Sequence, residues 1–510
     1  MHKDEGAKRA PSTFTREGAS KMPAKTGKEY IERVDQAQAN IWINGEQVKG
    51  NISEHPSFKG VMKTQAELYD MQHDPKKKEF MTYESPATGD RVGTSFIQPR
   101  TKEDLEMRRR MMQEWARHNN GMMGRSPDYI NVGMMAYGSA SEMFGKQDPF
   151  YAQNMSKYYE YCRENDLSLT HTLIQPQVNR GVNAAQLPDP YIAARIKEKT
   201  SEGVVIKGAR LLATQGGITD EIMVFPSTLL KQAEEENPYA YAFSIPNNTP
   251  GLKFICRESF DYGKSNFDHP LGSRFEEMDT IVVFDDVVVP WDRVFALGDV
   301  GVCNQAYNES NAVVHMTHQV VSKNVAKTEF ILGLVQLMIE TINIGQYQHV
   351  QEKASEIIMA LETVKAYLTA SEANAKIDKW GIMTPDFTPL NIARNYYPKI
   401  YPRFSEIMQL LGASGLMAIP NEADFNSDIR PDLDKYLQSA TGNAYDRVKL
   451  YRLAWDVCMS AFGTRQTLYE RFFFGDPVRM ASALYNGYDK QEYVDRVKEF
   501  LDRSEELVQK

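Results

Sequence analysis

Arg125 and Tyr129 stand four residues apart in GRSPDYIN, and His171 sits in DLSLTHTLIQPQVNR. Ser126 and Pro127 read as the N-cap and first turn of a helix. Across such an entrance positions i and i+4 are neighbours, so a guanidinium and a phenol can converge on one small polar object. Arginine is a fixed cation, and histidine changes charge near neutral pH. Each piece also has a plainer reading: a capping motif with its arginine in solvent, and a strand with one satisfied histidine. His315 and His318 (HMTH) have the i, i+3 spacing of a metal pair. A third ligand is not evident, so they read as ordinary helix histidines and no metal is expected.

The stretch that must carry His171 is Asp166–Arg180. Leu167, Leu169, Leu173 and Ile174 mix with Thr170, His171 and Thr172 until Pro176 breaks the run. That pattern is a half-buried strand ending in a polar turn, and its period of two aims side chains both at a core and at a ligand.

Composition limits what such a site could serve. At 510 residues, with 42% hydrophobic and 25% charged residues, the chain is expected to form two or three globular domains. A net charge of -9 argues against nucleic acid as the main partner. Cys162, Cys256, Cys303 and Cys458 are scattered, with no C-x-x-C pair, which fits a reducing compartment. No apolar run approaches a membrane span, and the N-terminus has no signal-peptide h-region, so a cytoplasmic location is expected.

Residues 1–27 have Phe14 and Met22 as their only large apolar residues apart from the initiator and are expected to be a mobile tail. Helices are expected from Lys28 and over Lys102–Asn119, where Thr101 and Asp104 make a capping pair, with a short extended piece at Ile41–Val48 between them. From 168 to 298 the texture becomes β-branched and alternating, broken by Gly, Pro and Asn turns, which suggests an antiparallel sheet or barrel. Helical spacing returns to the C-terminus. Ala354, Ile357, Ile358, Leu361, Val364, Ala366 and Leu368 trace an apolar face, and Phe330–Ile344 is apolar enough to expect deep burial. Pro398 and Pro402 are expected to kink or interrupt their helix. The GAS of QLLGASGL reads as a helix terminus. The domains expected are therefore 28–167, 168–298 and 299–510, the last a bundle whose spare apolar face suggests self-association.

No dinucleotide fingerprint, P-loop or H-E-x-x-H occurs. Five blocks, however, occur together: GRSPDY at 124–129, DLSLTHTLIQPQVNR at 166–180, DDVVVPWDRVF at 285–295, QLLGASGL at 409–416 and RQTLYERFFFGDP at 465–477. In these the chain resembles the flavin-dependent 4-hydroxyphenylacetate 3-hydroxylases, oxygenase components of two-component phenol monooxygenases. The resemblance runs from about Lys28 to the last fifteen residues or so. It implies an α+β multi-domain, acyl-CoA dehydrogenase-like fold: an N-terminal helical domain, a central antiparallel β-barrel and a C-terminal four-helix bundle, assembled as a homotetramer or homodimer.

The same resemblance implies residue roles. Arg125, Tyr129 and His171 would surround the phenol hydroxyl, and Ser227 and Thr228 would meet the carboxylate tail of the substrate. His171, Thr172, Leu173, Gln177, Val178, Asn179, Arg180 and Thr214 would contact FAD, with Gly475 and Asp476 as a further contact. The plain reading of Ser227–Thr228 and of Gly475–Asp476 is a polar turn. FADH2 would come from a separate NADH:flavin reductase, with O2 as co-substrate. The implied reaction is hydroxylation of 4-hydroxyphenylacetate ortho to its hydroxyl, giving 3,4-dihydroxyphenylacetate. Alternatives are phenol or chlorophenol as substrate, or a dehydratase or dehydrogenase of the same fold. A 4-hydroxybutyryl-CoA dehydratase would need two cysteines where Arg125 and Tyr129 stand, and a dehydrogenase would need a catalytic glutamate that no motif points to.

The chemistry suits the residues. An unperturbed phenol ionises near pH 10, so phenolate at neutral pH costs about 4 kcal/mol. One guanidinium and two hydrogen-bond donors in a water-poor pocket would offset much of that.

Overall fold

The computed structural model describes residues 23–182, 184–226 and 237–508. Local chemistry sets the helix starts. Gly27–Ala37 begins at a capping box between Thr26 and Glu29, and Lys102–His118 at one between Thr101 and Asp104. Pro127–Ser139 carries its proline in the first turn, with Ser126 as N-cap, and nearly every one of its residues is buried. Residues 1–22 of the expected tail lie outside the described residues, and 23–27 belong to the packed fold. Lys25 is buried against Tyr30 and Tyr69, its ammonium lies 2.8 Å from Asp220, and its backbone N–H donates to Asp166.

The central β region is two sheets rather than one closed antiparallel barrel. The larger runs Glu46–Gln47, Ile41–Ile43, Leu252–Cys256, Asp279–Pro290, Gly203–Thr214, Arg195–Lys199. The smaller runs Val294–Leu297, Tyr241–Pro246, Glu221–Val224, Leu169–Thr172. Most neighbours are antiparallel, but Ile41–Ile43 pairs in parallel with Leu252–Cys256, and Leu169–Thr172 with Glu221–Val224. Parallel pairing needs a long crossover, and both pairs have one in sequence. The extended piece at Ile41–Val48 thus supplies strands to the central sheet from within the expected helical domain. An antiparallel bridge from Ile174 to Leu211 ties the two sheets beneath the His171 strand.

Ala312–Thr341, Gln348–Ala373, Phe387–Gly412 and Ala461–Phe472 form the C-terminal bundle, and Ala312–Thr341 also packs on Lys102–His118 and Pro127–Ser139. Burial is all-round over 312–328, whereas Phe330–Ile344 buries only one face, Ile331, Leu334, Val335, Met338 and Ile339, while Gly333, Gln336, Leu337 and Glu340 face outward. The earlier half is enclosed on both sides, and its polar residues find partners across the helix contacts. Pro398 and Pro402 lie inside Phe387–Gly412 without ending it. On Gln348–Ala373 the buried face is Ile357, Leu361, Val364 and Leu368, while Ile358 and Ala366 are exposed. Gly412 does end its helix, followed by Ala413 at φ 42°. Among the described residues no helix is long and apolar enough to cross a membrane.

Candidate active site

Arg125 occupies the turn that leads into Pro127–Ser139, and Tyr129 lies on the first turn of that helix. The guanidinium carbon sits 4.3 Å from the centre of the Tyr129 ring, and the His171 ring lies 5.9 Å from that of Tyr129. The three side chains are therefore brought together from two segments. His171 is third in Leu169–Thr172, whose register against Glu221–Val224 sets His171 opposite Met223 and Thr172 opposite Val224. Ser227 and Thr228 lie outside the described residues.

Charge in this cluster is unequal. Burial, and then the Arg125 cation beside it, push the His171 imidazole down to about 3, so it stands neutral. This differs from a histidine poised at working pH. In the ligand-free chain it is an acceptor, and an anion placed beside it would restore its basicity. Burial raises the Tyr129 hydroxyl, with Arg125 opposing, so it is a donor. Burial works against the Arg125 cation, yet Tyr469, Tyr129 and Glu277 hold it above its ordinary value. Among the described residues no hydrogen bond reaches the Tyr129 hydroxyl or either His171 ring nitrogen, and the buried Arg125 Nε has no partner.

Four further residues build the site and escaped the sequence reading. The Tyr469 hydroxyl accepts from Arg125 Nη1 at 2.7 Å and donates to the Gly124 carbonyl at 3.2 Å. Gly124 permits this approach, since a Cβ there would lie 2.3 Å from the Tyr469 hydroxyl. Phe473, one helical turn on, packs 4.5 Å from the Arg125 guanidinium and 5.4 Å from the Tyr129 ring. Tyr307 adds a half-buried phenol whose raised value reflects desolvation and then Tyr129. Glu277 accepts from the backbone N–H of Gly124 and of Arg125 at 2.8 and 2.6 Å. Tyr469 and Phe473 belong to RQTLYERFFFGDP, a block already singled out; nothing local marks Glu277 or Tyr307.

The residues expected at a flavin divide into four groups. His171, Thr172 and Leu173 follow one strand, with the Thr172 hydroxyl donated to Leu211 O at 3.0 Å. Thr214 ends Gly203–Thr214 and donates to Asp279 at 2.9 Å, leaving its oxygen free only to accept. Gln177, Val178, Asn179 and Arg180 are all exposed, in a stretch from Thr170 to Val182 that contains no carboxylate. Amide and guanidinium donors without acids suit a pyrophosphate, so these residues fit FAD. Gly475 has φ 118° in the turn after Ala461–Phe472, where an added Cβ would meet nothing within 4 Å. The Asp476 carboxylate is committed as the N-cap of Pro477–Gly487, accepting from Val478 and Arg479 N–H groups. Gly475 and Asp476 lie two and three residues beyond Phe473.

The HMTH pair is not a metal site. His315 Nδ1 and His318 Nδ1 both face Arg108 Nη2, at 3.1 and 3.4 Å, and His318 Nε2 contacts Glu372 at 2.8 Å. An arginine N–H occupies the lone pairs a metal would need.

Together, helices flanking central sheets and a cationic, aromatic cradle at a sheet edge define an α+β flavoenzyme-type oxygenase. Residues 26–296 match the family described as 4-hydroxyphenylacetate 3-hydroxylase N terminal, and 303–502 its C terminal counterpart. The chain belongs to the 4-hydroxyphenylacetate 3-hydroxylase family. It is 56% identical to the 4-hydroxyphenylacetate 3-monooxygenase oxygenase component of Geobacillus sp. (strain PA-9), over 94% of this chain and 97% of that protein. It superposes with TM-score 0.90 and 50% identity on a crystal structure of such an oxygenase component complexed with FAD and 4-hydroxyphenylacetate, covering 95% of this chain and 100% of that one. An archaeal 4-hydroxybutyryl-CoA dehydratase from N. maritimus shares the fold at TM-score 0.84 but only 18% identity, covering 94% and 95%.

Proposed function

We propose that this chain is the oxygenase component of a two-component monooxygenase that converts 4-hydroxyphenylacetate to 3,4-dihydroxyphenylacetate. Arg125, Tyr129 and His171 hold the phenol. The observation that carries the reading is one cation and two polar groups without protein partners, converging beside a strand suited to flavin. The likeness to relatives of this activity supports it.

When bound, reduced FAD supplies two electrons and, with O2, an electrophilic oxygen. One oxygen atom enters the ring and the other leaves as water. The chain itself prepares the substrate. Neutral His171 accepts the phenol proton, and Arg125 supplies a fixed counter-charge to the resulting phenolate. Tyr129 donates a hydrogen bond to the same oxygen, and electron density rises at the ortho carbon. Tyr137, stacked on Phe225 at 5.0 Å, and Phe473 bring apolar surface that keeps water from the oxygen donor. Ser227 and Thr228 take the role of carboxylate partners. Thr214, Gln177–Arg180, Gly475 and Asp476 take that of flavin contacts.

Reduced FAD comes from a separate NADH:flavin reductase, and the chain works in the cytoplasm. Exposed Leu337, Ile358, Met359, Leu410, Leu468 and Phe472 on the bundle support assembly into a homotetramer or homodimer.

The test supplies chemically reduced FAD, air and a panel of phenols to the purified chain. Catechol formation, greatest with 4-hydroxyphenylacetate and without NADH oxidation by the chain alone, is the expected result. Hydrogen peroxide as the sole product with every phenol would contradict the reading. Preference for phenol or a chlorophenol would keep the chemistry and change the substrate.

A further inference from the structure

Arg125 is useful only if its guanidinium is aimed, yet it sits in a turn between two helices, where backbone groups lack intrahelical partners. Glu277, just ahead of the strand Asp279–Pro290, is buried beneath that turn. Its Oε1 accepts from Arg125 N–H at 2.6 Å and from Gln215 Nε2 at 3.1 Å. Its Oε2 accepts from Gly124 N–H at 2.8 Å and lies 3.5 Å from Arg465 Nη1. Gln215 also donates to the Arg125 carbonyl at 3.1 Å, so both backbone polar groups of Arg125 are held. Arg465 is in turn gripped by Asp279, at 2.7 and 3.0 Å. Arg465 and Tyr469 lie one turn apart on Ala461–Phe472, so this helix meets the cradle at its carboxylate and at its guanidinium.

We propose that Glu277 is the positioning residue of the reaction: with Gln215 it fixes the Gly124–Arg125 backbone so that Arg125 meets the phenol oxygen. The proposal rests on the cradle described above. Both Glu277 oxygens face two donors each, so neither orientation of a glutamine amide satisfies the site, and a buried donor is left facing an N–H. The expected fault is misaim rather than lost charge, because Arg125 itself stays.

The experiment uses the full chain with reduced FAD, O2 and 4-hydroxyphenylacetate, and compares Glu277→Gln with Arg125→Ala. Four quantities are read: KM for the phenol, the maximal rate of flavin reoxidation, the ratio of catechol to hydrogen peroxide, and reduced-FAD affinity. For Glu277→Gln, KM rises about tenfold, as expected for orphaning a charge-assisted hydrogen bond. Peroxide replaces much of the catechol, while flavin affinity and reoxidation rate stay as in the unaltered chain. Should that variant accumulate unfolded, Gln215→Met carries the test, since it keeps volume and charge and removes only the tie to Glu277 and the Arg125 carbonyl. It should shift KM and product ratio in the same direction. Unaltered KM and product ratio in a folded variant, alongside loss of both in Arg125→Ala, would overturn the role of Glu277. Full coupling in Arg125→Ala would overturn the cradle itself.

Discussion

Two arginines in this chain stand beside histidines, and their surroundings differ in what they leave open. Arg108 is fully buried between His315 and His318, and Glu372, whose two oxygens share the Arg109 Nε–H, closes the cluster. Burial draws its guanidinium down to about 9, with Glu372 opposing. Arg125 is part-buried, lies between the rings of Tyr129 and Phe473, and is held above its ordinary value. In the first cluster all four imidazole nitrogens are committed, to Arg108 Nη2, Thr384 and Glu372, while Arg108 Nε and Nη1 are buried without a partner, and the cluster joins Lys102–His118 to the bundle. The second keeps a cation, a phenol and a neutral imidazole available to a ligand. A buried arginine with histidine neighbours is thus no signature of catalysis; what separates the two is whether the imidazole nitrogens are already committed.

The largest effect should come from removing the second arginine. Arg125→Ala should lower kcat/KM for hydroxylation by about 100-fold or more, as expected for deleting a charge stabiliser in a dry site. Its unfolding midpoint in urea should barely move. Steady-state catechol formation and a denaturation curve on the same preparation decide this.

Arg108→Ala should do the reverse. Losing the side chain leaves a cavity and unpaired imidazoles, and stability should fall by about 3 kcal/mol. Activity per folded molecule should persist. A large loss of coupling in a folded Arg108→Ala chain would erase the distinction.

Acid should attack the closed cluster next. Burial pushes His315 far below its ordinary value, and His318 is lowered by burial and Arg108 despite Glu372. Such histidines are neutral in the fold, so below about pH 6.5 the unfolded chain binds more protons. Stability is then full above that pH and is lost as pH falls, by up to about 1.4 kcal/mol per unit for each group. Urea unfolding at pH 7 and pH 5 measures the slope, which should be shallower in Arg108→Ala.

The smallest effect concerns Tyr469. Tyr469→Phe removes one hydrogen bond to Arg125 and keeps the ring stack, so KM for the phenol should rise only about threefold to tenfold. Reduced-FAD affinity, followed by fluorescence, should not change.

Local chemistry was legible in the sequence, and distant pairing was not. The Thr101–Asp104 capping box, the Pro127 helix start and the Leu169–Thr172 strand each rest on neighbouring residues. Arg125 and Tyr129 are four apart across a helix start, so their nearness is local in sequence. Glu277 reaches Gly124 across 153 residues and Tyr469 reaches Arg125 across 344, separations that no spacing rule spans. Phe330–Ile344 misled because apolar composition does not tell which helix face meets a neighbour. The polar stretch 315–328 is buried because Asp128, Gln466, Glu470 and Tyr397 wait across the contacts.

The most direct test of the cradle is a crystal structure of this chain with FAD and 4-hydroxyphenylacetate. The phenol oxygen should lie within about 3.2 Å of the Arg125 guanidinium, the Tyr129 hydroxyl and a His171 ring nitrogen. A ligand bound the other way round, with its carboxylate on Arg125 and its hydroxyl away from His171, would contradict the account.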